Sequence, residues 1–251
     1  MLTSRACPIC QGACTPLDAV DLNKACNDGD GKVRAIAGVP IHYFRCEQCG
    51  FCFAPEFADW QLEDFEAKIY NDDYIRVDPD YLDTRPRANA SSLLATFGDW
   101  AAAIRHLDYG GGNGLLSKTL RDAGWRSNSY DPFVDRDVRP TQLGKFELIT
   151  AYEVFEHVPD VKRLIRELSL LLASDGIVLF STLLSDGNVQ AAQPLTWWYA
   201  APRNGHISLF SRKSLALLGA GEGFLFGSFS TNLHVYWREV PPWAAHILRG
   251  A

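Results

Sequence analysis

A glycine-rich turn near the middle of the chain has the residue types and spacing of a ligand site. It reads Asp-Tyr-Gly-Gly-Gly-Asn-Gly over residues 108–114 and precedes an amphipathic segment that begins at Leu115. Residues 104–109 are predicted to form a short buried strand, and the amphipathic segment predicts a helix. Because glycine lacks a Cβ and accepts positive φ, such a strand-to-helix turn lets a ligand approach bare backbone. The stretch therefore predicts a nucleotide-type cofactor site.

The spacing of the glycines discriminates between cofactors. A nicotinamide or flavin site usually follows Gly-x-Gly-x-x-Gly, but the position three residues after Gly112 is Leu115. The order Asp-x-Gly-x-Gly-x-Gly instead resembles motif I of the class I S-adenosylmethionine-dependent methyltransferases. The matching residues are Asp108, Gly110, Gly112 and Gly114. A glycine turn that binds no ligand is the alternative, since many α/β proteins contain one.

Two carboxylates acquire roles from this resemblance. A ribose-binding acid is expected one strand-helix unit after the turn, and Asp131 follows Gly110 by 21 residues. Its carboxylate can accept hydrogen bonds from two ribose hydroxyls. Asp108 is implied to hold the cofactor's amino group or to organise the glycine turn. The alternatives are a turn aspartate before Pro132 and an ordinary acid at a strand end.

A second segment extends the resemblance along the chain. Residues 146–158, which end in Glu-His-Val, resemble the motif after the fourth strand in the subgroup that includes the ubiquinone-pathway O-methyltransferases. Residues 171–182 resemble the end of that subgroup's next helix and its fifth strand. The resemblance implies that Tyr152 and Glu153 contact S-adenosylmethionine. Residues 137–144 contain no clear counterpart of the acid that binds adenine in this family. The resemblance therefore predicts neither a third strand nor the residues that contact adenine.

Three polar side chains are candidates for the chemistry of the methyl acceptor. His157 follows the carboxyl end of a predicted strand, where open α/β sheets place their sites, and a neutral imidazole there could accept a proton. Tyr199 and His206 lie in an aromatic-rich insertion, 194–210, that suits the wall of an acceptor pocket. The alternatives are a histidine that only shapes its loop and an aromatic satellite core.

The cysteines predict a metal site at the N-terminus. Cys7 and Cys10 form one Cys-x-x-Cys pair, and Cys46 and Cys49 form another. Four thiolates in two such turns can surround a tetrahedral Zn²⁺ and leave no open position, so we expect a structural zinc. An insertion around residues 27–31 separates the pairs; unligated or redox cysteines are the alternative. Other candidates for a ligand position are Cys14, Cys52 and His42.

The order of these parts resembles a second group of enzymes. A paired-cysteine module, a tyrosine-rich connector and the predicted cofactor domain together look similar to the bacterial deoxysugar C-methyltransferases. In the connector, Tyr70 and Tyr74 are expected to close the acceptor pocket. Because of this likeness, a sugar carbon is a second predicted methyl acceptor, beside a hydroxyl group.

Strands and helices alternate from residue 104 onward. Strands are predicted at 104–109, 125–130, 146–151 and 176–182, with helices at 115–123 and 160–172, a helix from Ser211 and two terminal strands at 224–229 and 233–237. This order predicts an α/β fold: a Rossmann-like, mostly parallel sheet with an antiparallel terminal strand. A small N-terminal zinc-ribbon-like module is added to it. The predicted domains are a zinc module at 1–55, a connector and lid-forming segment at 56–103, and a methyltransferase domain at 104–251.

The composition limits the classes of binding partner that the protein is expected to have. The net charge is −6 and no basic run is present, which argues against nucleic-acid or anionic-membrane binding. No stretch approaches the roughly 18 apolar residues of a membrane helix. The first six residues leave no room for a signal peptide, and an odd number of cysteines, seven, suits a reduced compartment, so a cytoplasmic location is expected. The composition does not predict an oligomeric state.

Taken together, these features predict an S-adenosylmethionine-dependent methyltransferase that acts on a small-molecule acceptor, with a histidine as candidate base. Two rival hypotheses remain. One is a nicotinamide-dependent enzyme, and the other is a non-catalytic binding module that keeps the fold and uses its cysteine pairs to dock a partner protein.

Overall fold

The computed structural model describes residues 4–28 and 34–250. Gly29 to Gly31, part of the predicted insertion, lie outside the described residues. Strands and α-helices are numbered in chain order. The strands are β1 (Arg5–Ala6), β2 (Ala13–Asp21), β3 (Pro40–Cys46), β4 (Cys52–Phe53), β5 (Arg105–Tyr109), β6 (Arg126–Tyr130), β7 (Phe146–Tyr152), β8 (Leu172–Ser181), β9 (Ser208–Leu209), β10 (Leu225–Ser228) and β11 (Leu233–Trp237). The helices are α1 (Leu62–Lys68), α2 (Tyr74–Val77), α3 (Thr84–Phe97), α4 (Leu115–Asp122), α5 (Val161–Leu171), α6 (Arg212–Ala220) and α7 (Ala245–Leu248).

The described residues fall into two compact units, each assembled from separate parts of the chain. The first unit comprises Met1–Pro79, Phe155–Lys162 and Leu183–Leu218. The second unit comprises Asp80–Val154, Arg163–Thr182 and Gly219–Ala251.

The second unit is built on a six-stranded sheet in the order β10-β11-β8-β7-β5-β6. β6, β5, β7 and β8 pair in parallel, whereas β11 and β10 are antiparallel. Long connections separate β5, β6, β7 and β8 along the chain, which permits the crossovers that parallel pairing requires, and the close spacing of β10 and β11 permits the hairpin at the antiparallel end. The predicted mostly parallel α/β sheet with an antiparallel terminal strand is confirmed.

An apolar core holds this sheet in place. Leu116 and Leu120, one helical turn apart on α4, pack into one cluster with Trp125, Leu148 and Ile177 of the strand region. Each fully buried leucine stabilises the fold by about 1.5–3 kcal/mol relative to an exposed one. The packing fixes the carboxyl ends of β5, β6 and β7, where the predicted cofactor residues lie.

The link between β6 and β7 contains a short 3-10 helix, Pro140–Gln142, and no strand among its described residues. This is the segment for which the sequence offered no third strand. β5 pairs with both β6 and β7, so it lies between these two strands in the sheet.

The first unit contains a five-stranded antiparallel sheet in the order β1-β2-β3-β4-β9. Large side chains of this unit, including Tyr43, Phe44 and Phe51, are fully buried. The predicted small cysteine-rich module is thus present as an antiparallel sheet. β9 pairs with β4 through Cys52 opposite Leu209, so the sheet includes a strand from far along the chain. The domain divisions at residues 55 and 103 stay predictions about which segments fold independently.

Over the ranges that the structure describes, none of the helices has both the length and the apolar character needed to cross a membrane.

Candidate functional site

The glycine turn occupies the carboxyl end of β5 in the second unit. Gly110, Gly112 and Gly114 have φ values of 75°, 54° and 72°. The Gly110 amide donates a hydrogen bond to the Tyr130 carbonyl at 2.8 Å, which joins the turn to β6. A Cβ placed on Gly110 would lie 2.5 Å from Cγ2 of Val154. Val154 therefore leaves no room for a side chain at Gly110, whereas a Cβ built on Gly112 meets no described atom within 4 Å, so the backbone of the turn is open at Gly112.

Asp131 lies directly after β6 and bonds to the glycine turn. Its Oδ2 accepts a hydrogen bond from the Gly112 amide at 2.9 Å, and its Oδ1 accepts one from the Phe133 amide at 2.9 Å. The second bond is the Asx turn that was the alternative interpretation of this residue. The Asx turn and the bond to the glycine turn coexist, because a carboxylate has enough lone pairs to accept hydrogen bonds from several donors.

Asp108 is buried at the end of β5, beneath the turn. The Thr150 hydroxyl donates a hydrogen bond to its Oδ1 at 2.8 Å. Burial raises the pKa of Asp108 to about 7, with the nearby Asp131 carboxylate adding to the rise. Burial also raises the pKa of Tyr152 above its ordinary value, and the Asp108 charge contributes to that rise. Asp108 and Tyr152 therefore share one electrostatic environment.

Glu153 follows β7 in a backbone conformation that non-glycine residues seldom adopt, with φ of 54°. Its amide donates to Oγ of Ser181 at 2.9 Å, and that hydroxyl donates to Oε1 of Glu153 at 2.8 Å. Strain of this kind persists where surrounding contacts hold it and concentrates at functional sites. The predicted cofactor residues of the second unit thus lie along the carboxyl ends of β5, β6 and β7.

The three predicted catalytic residues all lie in the first unit, in one polar cluster. The Tyr199 hydroxyl donates a hydrogen bond to Oε1 of Glu156 at 2.5 Å, and Glu156 is fully buried. His206 Nδ1 lies 2.9 Å from the Tyr199 carbonyl oxygen. Because a carbonyl only accepts, Nδ1 carries the proton in neutral His206, and Nε2 is left as the basic nitrogen.

His157 completes the cluster from the 3-10 helix Phe155–His157. Its ring centroid lies 5.0 Å from that of His206, and ligand atoms of Glu156, His157 and His206 all lie within 4.8 Å of one another. A carboxylate with two imidazoles can exchange protons with a substrate, and it can also hold a divalent cation. A Cβ on Gly205 would lie 2.9 Å from His157 Nδ1, so the loop backbone passes close to this ring.

Both connector tyrosines contact this part of the first unit. The Tyr70 ring meets the His157 ring edge to face, with centroids 6.2 Å apart. The Tyr74 hydroxyl donates to the carbonyl oxygen of Asn204 at 3.2 Å. Their expected role in closing an acceptor pocket stays a prediction.

Cys26 is a member of the cluster that sequence reasoning missed. Its Sγ lies 3.5 Å from His206 Nδ1, and its amide donates to Oδ1 of Asn204 at 2.8 Å. In the sequence Cys26 is only a cysteine left over from the two pairs. A contact between residues 180 positions apart leaves no local pattern by which it could be found.

The four paired cysteines converge in the first unit. Cys7 Sγ lies 3.7 Å from Cys49 Sγ, and Cys10 Sγ lies 3.5 Å from Cys46 Sγ. Four sulfurs bound to one Zn²⁺ at about 2.3 Å are about 3.8 Å apart, so the observed spacings fit a zinc tetrahedron. The hydrogen bond between Cys7 and Cys49 lowers the pKa of the Cys7 thiol to about 5 and raises the pKa of the Cys49 thiol, so the two sulfurs share one proton when no metal is bound.

The two turns that carry these pairs have matching backbones. Gln11 directly follows the first pair with φ of 63°, and Gly50 directly follows the second with φ of 74°. The amide of Cys49 also points at Cys46 Sγ, 3.4 Å away. Within the described ranges, the sulfur cluster consists of these four residues. The other ligand candidates are placed elsewhere: Cys14 Sγ donates to the Gly12 carbonyl, Cys52 Sγ to the Gly50 carbonyl, and His42 Nδ1 lies 2.8 Å from Glu56.

Comparison with curated proteins finds short and distant relatives. The chain is 29% identical over 105 residues to a ubiquinone biosynthesis O-methyltransferase of Actinobacillus pleuropneumoniae serotype 7 (strain AP76). That match covers 31% of this chain and 44% of the relative. The same enzyme from serotype 5b (strain L20) matches with the same identity and coverage. The chain therefore spans less than half the length of the curated relatives it matches.

Two solved structures are similar to this chain at low sequence identity. The Burkholderia thailandensis 1,6-didemethyltoxoflavin-N1-methyltransferase is 16% identical, with 74% of this chain and 93% of that chain covered at a TM-score of 0.46. Streptomyces venezuelae DesVI is 13% identical, with 70% and 98% covered at a TM-score of 0.45. Likenesses at these scores carry no argument about function.

The family assignment rests on a match to the sequence profile described as "Methyltransferase domain", which covers residues 81–225. This range includes the glycine turn, Asp131 and the Glu-His-Val segment, and it exceeds half of the chain. The chain belongs to the methyltransferase domain family.

Proposed function

We propose that this protein transfers a methyl group from S-adenosylmethionine to a small-molecule acceptor. The observation that carries the proposal is the glycine turn at the end of β5, held by its Gly112 amide to the carboxylate of Asp131. An uncovered backbone beside acidic side chains, at the carboxyl edge of parallel strands, suits a nucleoside with hydroxyl and amino groups.

The residues present fit this cofactor. A Cβ built on Gly112 meets no described atom within 4 Å, so the backbone there is open, and Asp108 and Asp131 supply carboxylates at the ends of neighbouring strands. In the proposal Asp131 accepts the ribose hydroxyls, and Asp108 holds the amino group or organises the turn. The other residues proposed to hold the cofactor are Gly110, Gly112, Gly114, Tyr152 and Glu153. When bound, S-adenosylmethionine supplies a methyl group already activated by its sulfonium.

The polar cluster of the first unit is proposed to act on the acceptor. His157 accepts the acceptor's proton as the methyl group is transferred. Glu156, Tyr199 and His206 are proposed to position this part of the site. The Tyr199 hydroxyl bonds to Glu156, and the Tyr199 carbonyl oxygen bonds to His206. The basic Nε2 of His206 is the second proton acceptor that this cluster offers.

The acceptor is proposed to be a hydroxyl compound, with a sugar carbon as the second candidate. Support for the hydroxyl comes from the curated relative, whose name is that of an O-methyltransferase. A net charge of −6 argues against nucleic acid as the acceptor.

Calorimetric titration with S-adenosylhomocysteine and with NAD tests the proposal. We expect S-adenosylhomocysteine to bind with one site per chain and NAD to show no heat of binding. Tight binding of NAD would favour a nicotinamide-dependent enzyme. Failure of both ligands to bind would favour a module that keeps the fold without catalysis.

We also propose that the four paired cysteines hold a structural Zn²⁺. The sulfur spacings and the convergence of all four sulfurs support this proposal. Four sulfur ligands fill a tetrahedron, so this ion would stabilise the antiparallel sheet rather than take part in methyl transfer.

Replacing Cys46 by serine is expected to abolish zinc binding and to lower the melting temperature, because metal binding and folding of such a module are coupled. Elemental analysis of the purified protein and a thermal melt measure the two effects. Cys14→Ser is the matched control, since Cys14 lies opposite Cys46 in the same sheet but outside the sulfur cluster. A Cys46→Ser protein that retains zinc would contradict the assignment.

A further inference from the structure

A histidine is buried inside the parallel sheet, where an apolar residue is usual. His106 lies on β5 and is fully buried. Strands covered on both faces are mostly apolar, because a buried polar group is costly unless its hydrogen bonds are made. Both nitrogens of this ring have partners: Nδ1 lies 2.7 Å from Oγ of Ser127, and Nε2 lies 2.9 Å from Oγ1 of Thr150.

These contacts belong to a longer chain of side chains that ends at Asp108. Thr150 is hydrogen-bonded to Asp108, and Ser127 lies 2.8 Å from Oγ of Ser117. At the far end, the Ser117 hydroxyl lies 2.6 Å from the backbone carbonyl oxygen of Asn128. We refer to the five side chains as the His106 relay: Asp108, Thr150, His106, Ser127 and Ser117.

The relay can satisfy Asp108 in either protonation state. When Asp108 is ionised, Thr150 donates to it, His106 donates from Nε2 to Thr150, and Ser127 donates to Nδ1. In this state the Ser117 hydroxyl donates to Ser127. When Asp108 is protonated, it donates to Thr150, Thr150 donates to Nε2, Nδ1 donates to Ser127, and Ser127 donates to Ser117, whose hydroxyl then donates to the Asn128 carbonyl. The proton of neutral His106 then resides on Nδ1. The ring therefore changes tautomer when the carboxyl changes charge.

We propose that His106, acting through Thr150, is a positioning residue that holds the Asp108 carboxyl beneath the glycine turn and makes cofactor affinity depend on pH. The inference rests on the proposed function, because it takes Asp108 as part of the cofactor site. His106 acts through Thr150 and is not itself in contact with the cofactor.

The charged and titratable groups around Asp108 agree with this role. Burial lowers the pKa of His106 to about 3, so the ring stays neutral at ordinary pH and changes only its tautomer. Asp131 and Tyr152 are the other titratable groups that interact electrostatically with Asp108; Tyr152 is uncharged, because burial raises its pKa. With the pKa of Asp108 raised to about 7, the anionic form is lost as pH falls through that value. Affinity for an amino group on the ligand is therefore expected to fall below about pH 7.

The test is calorimetric titration with S-adenosylhomocysteine across this pH range. Thr150→Val removes the hydroxyl that stabilises the ionised carboxyl, so we expect roughly tenfold weaker binding at neutral pH and a pH midpoint shifted upward. Thr150→Ser keeps a hydroxyl, so this variant is expected to have the affinity and the pH midpoint of the wild type. Thr96→Val is the matched control, since the Thr96 hydroxyl bonds only within helix α3 to the Ser92 carbonyl. A Thr150→Val protein with unchanged affinity and midpoint would overturn the proposal.

Nitrogen NMR of the wild-type protein tests the relay without any substitution. Neutral histidine tautomers have distinct nitrogen shifts, and we expect the His106 proton to move from Nε2 to Nδ1 as pH falls from about 8.5 to about 5.5. An unchanged tautomer over this range would refute the coupling to Asp108. If wild-type protein fails to bind S-adenosylhomocysteine at any pH, the proposed function fails, while the NMR measurement still decides the relay.

Discussion

Gly110→Val is expected to abolish binding of S-adenosylhomocysteine. A Cβ at Gly110 would lie 2.5 Å from Cγ2 of Val154, and its φ of 75° is strained for any β-branched residue. Overpacking and backbone strain each cost about 1–3 kcal/mol, and the turn can relieve them only by leaving the conformation proposed to hold the cofactor, so we expect affinity reduced by roughly thirtyfold or more. Calorimetric titration at a concentration that saturates the wild type measures the loss.

Two glycines provide controls for this change. Gly124 has a φ of 89° and no atoms within 4 Å of its built Cβ, so Gly124→Val carries the backbone strain without the collision. Gly98 has open space and ordinary φ, so Gly98→Ala is expected to leave both folding and binding unchanged. Equal binding by Gly110→Val and Gly124→Val would show that the turn does not hold the cofactor.

His157→Ala is expected to slow methyl transfer while leaving the cofactor bound. Loss of a positioned general base typically reduces turnover by roughly a hundred- to ten-thousandfold. The cofactor residues are proposed to lie on the second unit, so the affinity for S-adenosylhomocysteine should stay within about twofold of wild type. Single-turnover kinetics with saturating acceptor, beside calorimetry, separate the two quantities.

His42→Ala is the matched control, because His42 lies in the same unit but is paired with Glu56 outside the cluster. It should retain wild-type turnover. Undiminished turnover by His157→Ala would show that His157 is not the general base, and His206 would be the remaining histidine of the cluster that could act as one. Reduced cofactor affinity in His157→Ala would instead indicate a structural role for this residue.

Local patterns explain why much of the fold could be predicted from the sequence. The strand-turn-helix around Gly110 and the hairpin of β10 and β11 depend on residues a few positions apart, so their signals survive in a short window. Each Cys-x-x-Cys pair is equally local and could be found by its spacing, and the structure brings the four sulfurs of the two pairs together.

Long-range pairing accounts for what the sequence did not reveal. β9 joins the antiparallel sheet of the first unit and is only two residues long, which is too short for an alternating pattern that would predict a strand. Tyr199 was predicted as a site residue from its surroundings, but its hydrogen bond to Glu156, across 43 positions, could not be read from spacing. His106 is one of several polar residues in β5, and only the structure pairs its nitrogens with Ser127 and Thr150.

Backbone strain was also outside the reach of pattern reasoning. Glu153 was expected to contact the cofactor from its place in a motif, yet its positive φ depends on contacts with Ser181 on the neighbouring strand. Such conformations are imposed by tertiary structure rather than by the residue itself.

The central claim is transfer of a methyl group from S-adenosylmethionine to a small molecule. Its most direct test is incubation of the protein with isotope-labelled S-adenosylmethionine and a cell extract, followed by mass spectrometry of the small-molecule and macromolecular fractions. We predict a labelled small molecule in the wild-type reaction that is missing when Gly110→Val protein is used. Label found only in protein or nucleic acid, or equal small-molecule labelling by both proteins, would contradict the account.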